Sequence, residues 1–152
     1  MNNKVFGSCI ALALGAGCAF TAVAQVKPDV LVGQRQAAMK LQGKYFGPLV
    51  GMLKGTVPYN AEVVQRNAGY LEVLDKMPWD GFTDATKGEK SFALPAVWAE
   101  PDKFKQAQEQ LQTAVGQLVT VSKGGGDEAA VKAAIGNVGK ACGNCHDNFR
   151  QK

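Results

Sequence analysis

The chain has 152 residues, of which 46% are hydrophobic and 20% charged, and its formal net charge is +4. That length suffices for one domain with a real core and is too short for two ordinary ones, and the composition is that of a globular protein. Lys and Arg are scattered without a long basic run, which argues against a nucleic-acid footprint, while a weakly basic surface suits transient docking to an acidic partner.

The first two dozen residues have the form of an export signal. Lys4 supplies the positive start, residues 5–20 are largely apolar, and Ala22-Val23-Ala24 has the small-x-small form that signal peptidase cuts. The apolar stretch is too short and too rich in Gly and Ala for a membrane span. Residues 1–24 are therefore expected to be a signal peptide, and residues 25–152 a single exported, soluble domain. A lipoprotein cut before Cys18 is the lesser alternative, because Gly15 stands where an aliphatic residue is usual.

Four helices are expected after the leader. The first covers residues 29–53, with Pro28 at its start and Val32, Arg35, Met39, Phe46, Val50 and Leu53 near one face. Pro48 inside it should bend the helix or end it early. The second begins at Asn60, a good N-cap, and carries Val63, Val64, Asn67, Leu71 and Leu74. A third opens near Pro101 with a stripe of Phe104, Gln108, Leu111, Val115, Leu118 and Ser122, and Gly124-Gly125-Gly126 ends it. From Asp127 the fourth places Val131, Ile135, Val138, Cys142, Cys145 and Phe149 on one seam, in alternating steps of four and three. No internal repeat and no strand-like alternation appear. The expected fold is all-α, an antiparallel up-down-up-down four-helix bundle.

In such a bundle the first helix starts where the fourth ends, and the long connection over residues 77–100 lies at that same end. That connection is too long to be structureless without a task, and it carries Trp79, Phe82, Phe92, Leu94 and Trp98. At about 1.5 Å per residue, Met39 and His146 both fall near this end, so it is where a site should form.

The last residues, KACGNCHDNFRQK, hold Cys142, Cys145 and the chain's sole histidine, His146. Cys9 and Cys18 would leave with the leader, so the mature chain has two thiols. A disulfide across two residues constrains little chain, and two thiols with one imidazole fall short of a structural zinc site. A thioredoxin-type pair needs a βαβ setting that is absent here. What remains is covalent haem c, one per chain. The thiols of Cys142 and Cys145 add to the haem vinyl groups, and the adjacent His146 ligates the iron. Because both thiols lie on the seam of the fourth helix, the haem should be held in the core near one end of the bundle.

A leader, four helices, "RQAAM" in the first, "MPWDGF" after the second and a C-terminal CxxCH together resemble the cytochromes c′, the class II c-type cytochromes. These proteins are standard four-helix bundles, so agreement of fold is not independent support. The C-terminal placement of CxxCH carries the specificity: in class I cytochromes a ligand Met follows far downstream, and six residues leave no room for one. The resemblance implies that Arg35 pairs with a haem propionate, that Arg150 sits beside the proximal face, and that Met39 faces the iron distally. It also implies that Trp79 and Phe82 pack near the haem. Arg35 has a physical case of its own, since a cation on a mostly apolar stripe needs an anion and haem brings two carboxylates.

Two functions follow from the resemblance. In the favoured one the iron is five-coordinate and the periplasmic protein binds NO and CO, because an apolar distal side stabilises bound O2 poorly. In the alternative Met39 ligates the iron, giving a low-spin His/Met cytochrome for electron transfer. An enzyme acting on organic substrates is not expected, since no nucleophile–base pair is present. The family relation further implies a homodimer through the first two helices; the redox partner is open.

Overall fold

The computed structural model describes residues 26–152. The expected leader and its cleavage site lie outside the described residues. Four long helices form the architecture: α1 (Pro28–Leu53), α2 (Ala61–Leu74), α4 (Pro101–Lys123) and α5 (Glu128–Phe149), with a one-turn α3 (Ala96–Ala99) ahead of α4. Neighbouring long helices pack in chain order, α1 on α2, α2 on α4 and α4 on α5, and α1 meets α5 to close the bundle. No helix among the described residues is long and apolar enough to cross a membrane.

The helix starts follow local chemistry. Pro28 opens α1 with Asp29 in its first turn, where the acid complements the positive end of the helix dipole. Asn60 accepts from the Val63 N–H at 2.9 Å, and Asp127 accepts from the Ala130 N–H at 2.7 Å, each satisfying an otherwise orphaned donor. The two short turns use Gly55 and Gly125, both at φ 71°, where a side chain would be strained.

The main core is built from Leu49 and Met52 of α1, Val64 and Leu71 of α2, Leu118 of α4, and Val131, Ile135 and Val138 of α5, with smaller residues between them. Leu49, Leu118 and Ile135 are wholly buried. Each such side chain contributes about 1.5–3 kcal/mol relative to exposure.

One expectation about α1 needs correction. The helix runs to Leu53 as expected, and Pro48 does not end it early. Proline removes one backbone donor, and the carbonyl it would have served belongs to Lys44, which is exposed to water as Pro48 is. Asn67 from α2 donates to the Tyr45 carbonyl at 2.9 Å beside the defect, and Leu49 and Met52 just beyond it are locked in the core. The buried seam also runs through Val32, Arg35, Ala38, Gln42, Leu49 and Met52, while Met39 and Val50 are half-buried and Leu53 is exposed. The helix is apolar over a broad band, and packing against α2 and α5 chose the band's edge.

The connection over residues 75–100 is more ordered than its length suggested. It holds two 3₁₀ turns, Trp79–Gly81 and Asp84–Thr86, then α3. Its last part is stitched to the end of α5: Leu94 N–H donates to the Phe149 carbonyl at 2.9 Å, and Gln151 N–H to the Phe92 carbonyl at 2.8 Å.

Candidate functional site

The last turns of α5 carry the cysteine–histidine group. Cys142 and Cys145 are both free and half-buried, three residues apart and so on one side of the helix. Cys142 packs against the main core, and Cys145 against a second cluster of Val97, Ala107 and Phe149 with Phe82, Trp98 and Phe104 around it. The two thiols thus bridge the bundle core and the aromatic group under the long connection. Burial pushes the Cys142 thiol up to about 11, with Cys145 adding to the effect, and burial also raises Cys145. Both are neutral thiols in this setting.

His146 follows on the exposed side of α5. Desolvation by the surrounding chain lowers its pKa, Arg150 lowers it further, and Asp147 opposes them, so the imidazole is held toward its neutral form. Arg150 has left the helix for extended backbone and bridges to Ala93, with its guanidinium 5.9 Å from the centre of the Phe92 ring. Phe92 itself is 59% exposed and does not join the aromatic cover.

The aromatic group has edge-to-face geometry, favoured by ring quadrupoles. Phe104 meets Phe82 at 4.9 Å, Phe149 at 5.2 Å and Trp79 at 5.9 Å between ring centres, and Trp79 lies over Phe82 at 6.2 Å. The Trp79 indole N–H donates to the Asp75 carbonyl, and that of Trp98 to the Thr83 carbonyl at 3.0 Å.

Arg35 is the unusual group. It is 3% exposed, its pKa is lowered by desolvation, and no carboxylate pairs with it among the described residues. Its guanidinium sits 4.3 Å over the Phe82 ring and donates to the Gly81 carbonyl, to Thr86 Oγ1 at 3.1 Å and to Ser91 Oγ at 2.9 Å. Gly81 must be glycine, because a Cβ there would lie 2.8 Å from the Leu31 carbonyl oxygen and 2.9 Å from Arg35 Cβ. Sequence patterning singled out Arg35, but not Gly81, Thr86 or Ser91, whose only local signal is their place in a polar, turn-forming stretch.

Met39 is half-buried, one turn along α1 from Arg35. Its height in the bundle follows from the Phe46 ring, which lies 3.7 Å from the Cβ position of Gly139. Seven residues toward the start of α1 and seven toward the end of α5 are each about 10.5 Å, which brings Met39 level with His146.

These residues fit a covalent haem. Two neutral thiols at the CxxCH spacing, an imidazole held neutral, an aromatic wall and a desolvated cation lacking an anion are what a flat apolar ring with two carboxylates calls for. The family model described as Cytochrome C' matches residues 30–150. The chain belongs to the cytochrome c′ family. A cytochrome c′ of Rubrivivax gelatinosus is 38% identical over 127 residues, covering 83% of this chain and 98% of the relative. The solved cytochrome c′ of Shewanella frigidimarina is 30% identical with a TM-score of 0.80, covering 84% of this chain and 99% of the other. Variants of the Alcaligenes xylosoxidans protein, one solved as a nitric oxide complex and one with carbon monoxide bound, are each 35% identical with TM-scores of 0.76, covering 84% of this chain and 98% of theirs. As a cytochrome c′ family member the chain is a c-type haem protein.

Proposed function

We propose that this chain is a five-coordinate haem protein that binds NO and CO, exported to the periplasm by cleavage after Ala24. Cys142 and Cys145 would hold the haem through thioether links, and His146 would ligate its iron. When bound, the haem supplies an iron centre that accepts one electron and takes a diatomic ligand. Arg35 meets a haem carboxylate, Trp79 and Phe82 wall the ring, and Arg150 provides a positive charge beside His146.

The feature that carries the choice of function is Met39, which the helical rise along the neighbouring α1 and α5 brings level with His146. Its thioether has no N–H or O–H to donate, so a distal side built on it does not stabilise bound O2 by hydrogen bonding, while NO and CO need no such donor. It is also fixed: Ala38 and Gln42 beside it are buried, and Gln42 donates to the Leu74 carbonyl at 3.0 Å, tying α1 to α2. A helix so held does not easily bring the sulfur to a metal. The nitric oxide and carbon monoxide complexes of the Alcaligenes relative support the same reading.

Assembly as a homodimer through α1 and α2 is part of the proposal. Leu41 of α1 and Tyr70, Val73 and Met77 on and just after α2 are exposed, and Tyr45 packs at a tilt against Tyr70 with ring centres 4.6 Å apart. An apolar strip of this kind suits a self-complementary interface.

Met39→Ala tests the functional reading. It should accelerate CO binding to the ferrous protein while leaving the ferric spin state unchanged. A low-spin ferric protein that turns high-spin on this substitution would instead establish Met39 as a ligand and the chain as an electron carrier.

A further inference from the structure

A guanidinium has five N–H donors. Both hydrogens of Arg35 Nη1 are spent, on the Gly81 carbonyl and on Thr86 Oγ1, and one of Nη2 is spent on Ser91 Oγ. Nε–H and the second Nη2–H make no hydrogen bond among the described residues. In the planar group those two donors lie side by side and form an edge that can take a carboxylate through two parallel bonds. Arg35 therefore has one edge fastened to the long connection and one edge free.

Which edge faces outward is set by what grips the other. Phe82 lies against one face of the guanidinium at 4.3 Å and Trp98 is 5.9 Å away, so tilting out of plane is restricted. Rotation within the plane is opposed by the hydroxyls. Thr86 is the better placed of the two, being wholly buried, whereas Ser91 is half-buried. The Thr86 hydroxyl accepts from Arg35, and its one hydrogen is within reach of the Thr83 carbonyl at 2.8 Å and the Gly81 carbonyl at 3.0 Å. The hydroxyl is thus held from both sides. The groups facing the guanidinium are the Gly81 carbonyl, the two hydroxyls and the two aromatic rings, none of which titrates near neutrality.

We propose that Thr86 is a positioning residue, whose hydroxyl orients Arg35 so that its free Nε–Nη2 edge meets a haem carboxylate and keeps that carboxylate ionised. The proposal rests on the role given to Arg35 above. It assigns part of the long connection a task in tuning the haem, in addition to covering it.

The test is the reduction potential of the haem-loaded protein measured across pH for wild type, Thr86→Val, Thr86→Ser and Arg35→Leu. Thr86→Val keeps the shape and removes the acceptor. The carboxylate-linked inflection should then move upward by about one pH unit, as expected when a charge partner is weakened. Thr86→Ser should restore the wild-type profile, which a merely space-filling role would not require. If Arg35→Leu moves the inflection and Thr86→Val does not, the positioning role is wrong and the Arg35 assignment stands. If neither moves it, the Arg35 assignment fails as well. Should Thr86→Val not hold haem, Thr86→Ala replaces it: the same upward movement is expected, and an unchanged profile would overturn the proposal.

Discussion

Asp75, which ends α2, is 2% exposed, and its buried Oδ1 has no hydrogen-bond partner. The groups that α1 and α4 bring to this helix end are neutral amides: Gln42 donates to the Leu74 carbonyl, and Gln112 reaches the Asp75 carbonyl at 3.5 Å. Burial raises the pKa of Asp75 from 3.8 to about 6, with Lys76 opposing and Glu72 adding. The negative end of the α2 dipole acts in the same direction as burial. The folded protein therefore holds this proton more tightly than the unfolded chain does, so the associated stability is present below about pH 4 and is lost as pH rises through about 6. A difference of that size corresponds to at most about 3 kcal/mol, and relaxation of the helix end should leave about 1–2 kcal/mol. Asp75→Asn keeps the shape and removes the charge. Urea unfolding of the haem-loaded protein at pH 5 and pH 7.5 should show the variant gaining about 0.5–1 kcal/mol on wild type between the two conditions. Equal pH dependence in both proteins would refute the reasoning, because it would mean that Asp75 titrates as an ordinary, hydrated carboxylate.

Gly81→Ala should destabilise the protein by about 1–3 kcal/mol, since the new methyl meets the backbone of α1, and thermal unfolding would show it. A change within about 0.5 kcal/mol would mean that the turn yields more easily than its contacts imply. Cys142→Ala combined with Cys145→Ala should release haem on acid–acetone extraction, whereas wild type should retain it. Haem-free protein should lack a native near-UV circular dichroism spectrum, because the half-buried thiols and the aromatic group are completed by the cofactor; a sharply cooperative haem-free protein would contradict this.

The parts of the fold that were legible in the sequence are those set by local chemistry. Asn60, Pro101 and Asp127 start helices because capping and proline preferences act within a turn, and the α5 seam from Val131 to Phe149 follows from helical period alone. Period could not choose between Ala38 and Met39, since that depends on how α1 rolls against its neighbours. Pro48 does not end α1 because the Lys44 carbonyl it leaves unserved is exposed to water, while Leu49 and Met52 beyond it are held in the core. At the site, CxxCH and Arg35 stood out as residue types in unusual settings. Thr86 and Ser91 did not, because their partner lies 51 and 56 residues away in sequence. The pairing of the chain end with the long connection, Ala93 with Arg150, has no periodic signature at all.

The central claim is an iron held by His146 on one side and left open beneath Met39 on the other. An absorption spectrum of the purified protein, ferric and then ferrous with and without CO, tests it most directly. A high-spin ferric spectrum and immediate formation of a ferrous CO complex are predicted. A low-spin ferric spectrum with a far-red sulfur-to-iron band, and a ferrous form indifferent to CO, would contradict it.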